Sequence, residues 1–416
     1  MHAVVISFDR LHLGYLGCYG NDWIETPNLD RLATASVLFD QHYGENFDPY
    51  ARQHAWWTGR YQFPPAAKRL AQPGLADWLR DAGVTTHLFV EATHEADTRV
   101  APAFDEVATI LGSDGLEVAE VDAPFARLVA QASTWLKGRD RAAGATPSLL
   151  WLMSRGVPPG WLPPREFVDL YFSEFGLEER PDDDEFDDDD ERKPTSLEDA
   201  HSPEDLVAEP IITDPAIIER RYARALYAAY ATYLDRWLGK LLAVLDRQAQ
   251  AKETLVLFAA SGGDHLGEHG PITASPPLRE ELIHAPLLVR CPGQAAGRRP
   301  AFVQSVDLAP TLAAWFGCAP PADRRHGQSL LPLIRGEPAV IRESACVGSP
   351  EEWGLRNDDF YYVVGRSNRL AAGQLFVKPH DRWDFADVRP QYSDQADELD
   401  RILRAQIETL SGPADG

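Results

Sequence analysis

The chain has 416 residues, of which 44% are hydrophobic and 25% are charged, so it can form one large globular domain with a smaller appendage and is neither fibrous nor largely disordered. Its formal net charge of −24 disfavours nucleic acid and anionic membranes as partners, because both are themselves negatively charged. The four cysteines are too far apart in the sequence to indicate a zinc site or a disulfide framework.

The N-terminal residues lead directly into an apolar run over 3–8 that predicts a buried strand. No charged leader, long hydrophobic segment or small-residue cleavage site precedes this run. No apolar run in the sequence approaches the ~18 to 20 residues that a membrane helix needs. We therefore expect a cytoplasmic protein without a membrane segment.

Strand-like and helix-like patterns then alternate along the chain, which predicts a mostly parallel sheet covered by helices. In the first half, strands are expected at 3–8, 85–90 and 148–153, and helices at 26–36, 75–82 and 121–136. In the second half, apolar residues spaced by three and four predict a long helix at 217–248, followed by a buried strand at 254–260 and a helix within 303–312. Thr26 and Asp307 are the expected N-terminal caps of their helices.

Between residues 178 and 191 the sequence carries eleven acidic residues and a single arginine, Arg180. Such a block repels itself, so we expect a solvated, flexible insertion over about 176–212. The alternative is a flap that attracts cations or a tail that binds a partner. Beyond about residue 340, strands at 360–365 and 375–378 and a helix at 395–410 predict a small C-terminal subdomain.

Four short blocks, at residues 16–20, 26–32, 58–60 and 266–270, resemble signature segments of the sulfatases of the alkaline phosphatase superfamily. Their sequences are LGCYG, TPNLDRL, TGR and LGEHG, and they occur in the family's order and spacing. The resemblance implies a three-layer α/β/α sandwich with a mostly parallel central sheet over 1–340. It also implies a small α+β subdomain over 341–416, and activity on sulfate or related esters.

The first half of the family's metal site falls on residues 9–20, which align with the family's stretch without a gap. By this resemblance Asp9 keeps the first metal carboxylate, whereas Arg10 replaces the second. A cation therefore stands where the family places an ion ligand.

The family's nucleophile, a Cys or Ser that becomes formylglycine, falls on Pro49. Proline has no heteroatom that can attack an ester and no group to be oxidised. The arginine of the same motif falls on Gln53, with Arg52 one residue earlier. A shift of one residue would place Asp48 at the nucleophile position instead.

The second half of the metal site follows the strand at 254–260, and the gapless alignment replaces its Asp and His by Ser261 and Gly262. A rival register uses Asp264 and His265 as the ligand pair. His265 and His269, four residues apart, would share one face of a helix and could bind a metal there, but the glycines around them favour a loop.

The rest of the pocket rim departs from the family as well. The family's Pro-His segment has no His here, although Arg155 supplies a positive charge, and Ser275 falls near the family's substrate-binding Lys. Arg60 is a possible partner of Asp9. Trp56 and Trp57 are expected to contribute at least one ring to the core, the alternative being a ligand-stacking platform.

The sequence therefore predicts a sulfatase-like protein that has lost formylglycine- and metal-dependent ester hydrolysis and retains a binding or regulatory role. No cofactor is expected on this interpretation, and its ligand or protein partner and its oligomeric state are left open. The alternative is an active sulfate or phosphate ester hydrolase with a rearranged site. In that case Asp48 would be the nucleophile, and Asp9, Asp264 and His265 would surround one calcium, magnesium or manganese ion.

Overall fold

The structure is a computed structural model of the full chain, of which the following residues are described. The described residues are 1–46, 48–62, 73–92, 104–111, 118–140, 146–157, 162–172, 220–270, 276–318, 326–367 and 373–411. The acidic insertion predicted at about 176–212 lies outside them, as does Ser275.

The larger sheet of the described residues has eight strands. They are β1 (His2–Phe8), β2 (Val37–Tyr43), β3 (Thr85–Ala92), β4 (Glu106–Leu111), β5 (Ser148–Ser154), β6 (Thr254–Ala260), β7 (Leu287–Arg290) and β8 (Gly297–Gln304). Their spatial order is β4-β3-β5-β1-β6-β7-β2-β8. Neighbouring strands are parallel except that β7 is antiparallel to both β6 and β2.

The central strand β1 is apolar along most of its length because both faces of the sheet are covered. Val4 and Ile6 pack into one hydrophobic core, and Ala3 and Val5 pack into the other. This alternation follows from the two-residue period of a strand. The sheet is therefore the middle layer of three.

Helices form the two outer layers. The first core includes residues of α1 (Pro27–Thr34), α4 (Pro124–Asp140), α5 (Arg165–Phe172) and the long α6 (Arg220–Leu245). The second includes residues of α2 (Pro49–Thr58), α3 (Leu75–Asp81), α8 (Leu308–Trp315) and α9 (Leu331–Ile334). A short helix, α7 (Glu280–Ile283), lies between β6 and β7 in the chain.

The C-terminal region forms a second, antiparallel sheet. Its order is β12-β11-β10-β9, with the strands β9 (Ala345–Gly348), β10 (Glu352–Arg356), β11 (Phe360–Gly365) and β12 (Gln374–Val377). The last helix, α10 (Ser393–Ser411), packs on one face of this sheet. The predicted three-layer α/β/α fold with a small α+β C-terminal part is confirmed, whereas the domain boundary at residue 340 stays a prediction.

Thr26 and Asp307 occupy the predicted N-cap positions of α1 and α8, but neither side chain makes a capping hydrogen bond. Thr26 makes no capping bond to α1, because its Oγ1 accepts a hydrogen bond from the Gly17 amide instead. Asp307 makes no capping bond to α8, because its carboxylate accepts the amides of Gln304 and Gln328 and pairs with Arg342.

Within the described residues, no helix combines the length and apolar character needed to cross a membrane.

Candidate functional site

The candidate site lies where three adjacent parallel strands end. Asp9 follows β1, Arg155 follows β5 and Ser261 follows β6, and β1 lies between the other two strands in register. The Asp9 amide donates to the Ser154 carbonyl at 3.0 Å, and the Ser261 amide donates to the Phe8 carbonyl at 3.0 Å. The carboxyl edge of a parallel sheet is where α/β proteins bind ligands.

Asp9 is a buried carboxylate on which the charges of three arginines act. Burial raises its pKa to about 6, while Arg52, Arg155 and Arg10 and a hydrogen bond from the Gln53 side chain act in the opposite direction. One of its carboxylate oxygens, Oδ1, accepts no hydrogen bond from the described part of the chain. Three arginines therefore act on Asp9, and one of them, Arg10, also forms an ion pair with Asp264.

Arg52 reaches this site from the first half of α2. Its Nη1 donates to the Asp9 carbonyl at 2.7 Å and to Ser261 Oγ at 3.4 Å, and its Nε donates to the Asn46 carbonyl at 2.6 Å. The side chain is buried, and burial lowers its pKa to about 10. Backbone acceptors thus fix the position of this cation.

Arg10 reaches in another direction. Its Nε lies 2.6 Å from Asp264 Oδ1. The second oxygen of Asp264 accepts a hydrogen bond of 2.8 Å from the Tyr227 hydroxyl on α6, and that hydroxyl accepts the His12 amide at 2.7 Å. Arg10 consequently holds a carboxylate that would otherwise be available to a cation.

Ser261 and Gly262, which the gapless alignment places at two ligand positions, have structural roles here. Ser261 Oγ donates to the Asp9 carbonyl at 2.8 Å. A Cβ atom at Gly262 would lie 2.6 Å from the Leu282 carbonyl oxygen and 3.3 Å from Arg52 Nη1. The position therefore has no room for a metal-binding side chain while Arg52 keeps its place.

Asp264 and His265, the pair of the rival register, do not converge on one point. Asp264 binds Arg10 and Tyr227, as described above. His265 Nε2 accepts the His269 amide at 3.1 Å, and the residues from 263 to 270 form turns and irregular backbone instead of a helix. The predicted loop at these histidines is confirmed.

The proposed nucleophile positions lie at the N-terminus of α2. Pro49 is the first residue of that helix, and Asp48 is its N-cap, accepting the Ala51 amide at 2.9 Å. A carboxylate in this role stabilises the helix end. Gln53, which the sequence alignment places at the family's arginine position, bonds the Asp9 side chain.

The expectation that at least one of Trp56 and Trp57 lies in the core is confirmed, whereas their placement at the pocket rim as a ligand-stacking platform is wrong. Trp56 and Trp57 both belong to the core under the sheet, where each ring packs against Trp151. A helix turns about 100° per residue, so consecutive residues on one helix can both be buried when the helix is covered on two sides. Arg60 follows the C-cap Gly59, roughly 15 Å along the axis of α2 from Pro49.

Sequence reasoning missed Tyr227 and Glu91. Glu91, near the end of β3, accepts the Ser154 hydroxyl at 2.9 Å and the Arg155 amide at 3.1 Å, and so fixes the backbone beside Asp9. Burial raises its pKa to about 7. The sequence did contain a signal for Glu91, because a carboxylate at the end of an apolar strand indicates a group at the sheet edge. Tyr227 gave no such signal, because it lies among other aromatic residues on an apolar helix face.

Comparison with known proteins agrees with this architecture. The family model described as Sulfatase matches residues 2–318, so the chain belongs to the sulfatase family, within the alkaline phosphatase superfamily. Arylsulfatase K of Danio rerio is 28% identical over 201 residues, which are 46% of this chain and 38% of that protein. The alkaline phosphatase superfamily protein PehA of Trinickia caryophylli is 34% identical over 128 residues, covering 30% of this chain and 24% of that protein. The chain thus spans less than half the length of these two relatives.

Other matches cover nearly the whole chain. N-acetylglucosamine-6-O-sulfatase of Bacteroides thetaiotaomicron is 22% identical over 461 residues, covering 90% of this chain and 78% of that protein. A solved structure in complex with its substrate D-glucosamine-2-N,6-O-disulfate has a TM-score of 0.77 at 19% identity, covering 99% of both chains. Phosphonate monoester hydrolase of Agrobacterium radiobacter has a TM-score of 0.74 at 19% identity, covering 99% of this chain and 97% of that one. At these identities the two structures establish the fold.

Proposed function

We propose that this protein binds a small sulfated or phosphorylated molecule at the Asp9 site and does not hydrolyse it by the formylglycine route. The observation that carries the proposal is the group of three arginines whose charges act on Asp9, of which Arg52 binds the Asp9 carbonyl and Arg10 binds the neighbouring Asp264, with Arg155 as the third. Fixed guanidinium groups suit the oxygens of sulfate and phosphate, because their N–H groups form paired hydrogen bonds to such anions.

The donor set at Asp9 does not fit the divalent cation that the family implies. Calcium and magnesium need several carboxylate, carbonyl or water oxygens. Here Asp9 has three cationic neighbours, the Asp264 carboxylate is bound to Arg10, and the Asp9 carbonyl is bound by Arg52 and Ser261. We therefore propose that the arginines supply the positive charge in place of an ion.

The nucleophile position supports the same proposal. Pro49 has no attacking atom, and the neighbouring Asp48 carboxylate is engaged as the cap of α2. Ester hydrolysis requires an activated nucleophile together with groups that stabilise the developing charge. Arginines suited to anion binding, together with a proline at the aligned nucleophile position, therefore support binding without hydrolysis by the formylglycine route.

The test combines a binding assay with a turnover assay on the full-length protein. Inorganic sulfate and phosphate are titrated by isothermal calorimetry, and 4-nitrophenyl sulfate and 4-nitrophenyl phosphate are assayed on the same sample. We expect anion binding without turnover above the buffer blank. Arg155→Gln should weaken binding about tenfold, the effect of losing one charge-assisted contact. The exposed Arg401→Gln is the matched control and should bind like the wild type.

Turnover that disappears in Asp48→Asn would contradict the proposal and identify the rearranged hydrolase. Asparagine is also a good N-cap, so this variant removes the carboxylate nucleophile while preserving the end of α2. Absence of anion binding in the wild type would equally overturn the proposal.

A further inference from the structure

A second cluster of ionisable side chains involves the loop that carries Asp264 and the helix α7. His265, Glu268 and Glu281 each offer one ligand atom, and these atoms all lie within 4.8 Å of one another. His269 adjoins them, with its Nε2 at 3.5 Å from Glu281 Oε1. We call His265, Glu268, His269 and Glu281 the Glu281 cluster.

The cluster is separate from the Asp9 site because consecutive residues diverge. The Asp264 carboxylate contacts Arg10 and Tyr227, whereas the His265 ring lies beside Glu281. It is also distinct from the ligand pair of Asp264 and His265 that the rival sequence register required. Only His265 belongs to both.

Glu281 is the informative member of the cluster. Its side chain has no exposed surface, and neither carboxylate oxygen accepts a hydrogen bond from any residue that the structure describes. A buried carboxylate without hydrogen-bond partners is costly, and such groups are ordinarily paired or bound to metal. Its oxygens face a histidine and a second glutamate, which together form a ligand set for a cation.

The two segments that supply the ligands are held together before any ion binds. The Gly263 amide donates to the Leu282 carbonyl at 3.0 Å, which joins the loop after β6 to α7. A Cβ atom at position 263 would lie 2.0 Å from the Glu281 carbonyl oxygen, so glycine is required for this close approach. The Glu281 and His265 side chains are therefore fixed in relative position by the backbone.

The contacts around the cluster orient its other members. One oxygen of Glu268 accepts the Leu266 amide at 2.7 Å, and the other lies 3.8 Å from Arg224. The ring of Phe385 lies 4.9 Å from the ring of His269. Hydrogen bonds of this kind to a ligating carboxylate are typical of metal sites.

We propose that the Glu281 cluster binds one zinc ion through His265, Glu268 and Glu281. One imidazole nitrogen and two carboxylates suit zinc, whereas calcium and magnesium prefer oxygen ligands throughout. Binding through either ring nitrogen of His265 ends its bond from the His269 amide, because a neutral imidazole has one free lone pair. That loss of one neutral hydrogen bond is small beside three metal–ligand bonds.

The test uses the full-length protein, stripped with a chelator and desalted, then titrated with zinc chloride by calorimetry. Elemental analysis after gel filtration gives the stoichiometry. We expect one zinc per chain and a rise in the unfolding temperature on binding. Glu281→Gln should weaken zinc binding by about 100-fold or more, as should Glu268→Gln. Asp9→Asn is the matched control and should bind zinc like the wild type.

The apo proteins separate metal binding from a structural role. Glutamine keeps the shape of Glu281 and removes its buried charge, so apo Glu281→Gln should unfold at or above the temperature of the apo wild type. If Glu281 served only as a structural partner of His269, the Glu281→Gln protein would instead lose stability equally with and without zinc. The proposal is overturned if the wild type binds no stoichiometric zinc, or if Asp9→Asn abolishes binding while Glu281→Gln retains it.

Discussion

Arg10 interacts with both carboxylates at the candidate site, Asp9 and Asp264. It directly follows Asp9 in the sequence. Its Nε lies 2.6 Å from Asp264 Oδ1, and its charge also acts on Asp9. One arginine thus interacts with two carboxylates that a cation would otherwise share. Because a guanidinium group stays protonated, this neutralisation does not depend on an ion from solution.

Arg10→Met should lower the free energy of unfolding by about 2 to 3 kcal/mol, because it removes the ion-pair partner of the buried Asp264 carboxylate, which keeps its hydrogen bond from Tyr227. Methionine keeps much of the aliphatic length, so the change is mainly in charge. The measurement is urea denaturation at pH 7, with Asp264→Asn and the double variant completing a double-mutant cycle. If the effects of the two single variants simply add, the ion pair contributes nothing and the interpretation is wrong.

Gly262 gives a second prediction at the scale of single residues. In Gly262→Ala the new Cβ would meet the Leu282 carbonyl oxygen at 2.6 Å and Arg52 Nη1 at 3.3 Å. We expect a loss of about 1 to 3 kcal/mol in the free energy of unfolding, since backbone has to move. Gly138→Ala, on α4 with no atom of the described residues within 4 Å of its Cβ, is the control and should be neutral or stabilising. Equal effects for both alanines would contradict the steric argument.

At the scale of elements, the site depends on three strands that end together, and β3 reinforces one of them. Glu91 on β3 binds the Ser154 hydroxyl and the Arg155 amide at the end of β5. Arg155 and Asp9 are the charged groups that act on this carboxylate, and burial is the dominant cause of its raised pKa of about 7. The hydrogen bonds thus hold a group that is costly to ionise.

Glu91 should make stability fall as pH rises through neutrality. Between its ordinary pKa of 4.5 and about 7, the folded protein keeps a proton that the unfolded chain releases. The free energy of unfolding therefore decreases over this window, by roughly 3 kcal/mol for this group. Glu91→Gln cannot ionise, so its stability relative to the wild type should increase from pH 5 to pH 8 in denaturant titrations. A difference that is constant with pH would rule out this assignment.

The strands and helices with strong periodic patterns were predictable, and the site contacts were not. The apolar runs of β1, β5 and β6 stand out because buried parallel strands lack polar alternation. In contrast, β2 carries Asp40, Gln41 and His42 and was not predicted. Arg52 was identified by alignment, but its bonds to residues 9, 46 and 261 join distant parts of the chain that local patterns do not relate.

At the scale of the whole molecule, buried charges join the C-terminal sheet to the core. Glu280 on α7 lies 3.2 Å from Lys378 Nζ and 3.3 Å from Arg356 Nε, and its amide donates to Asp384 at 2.7 Å. Although burial opposes ionisation, Lys378 and Arg356 lower the pKa of Glu280 below its ordinary value. One hydrophobic cluster also contains residues of β2, α7, β8 and the small sheet. The two sheets therefore share a continuous interior.

This shared interior predicts that the full chain unfolds in a single transition, despite its two sheets. Calorimetry and intrinsic fluorescence should give coincident midpoints. Lys378→Met should shift that transition as a whole, by roughly 3 to 5 kcal/mol, because it leaves the buried carboxylates of Glu280 and Asp384 short of a cation. Arg401→Ala removes an exposed ion pair on α10 and should leave the midpoint unchanged. Two resolved transitions, with only one moved by Lys378→Met, would instead mean that the regions on either side of residue 340 unfold independently.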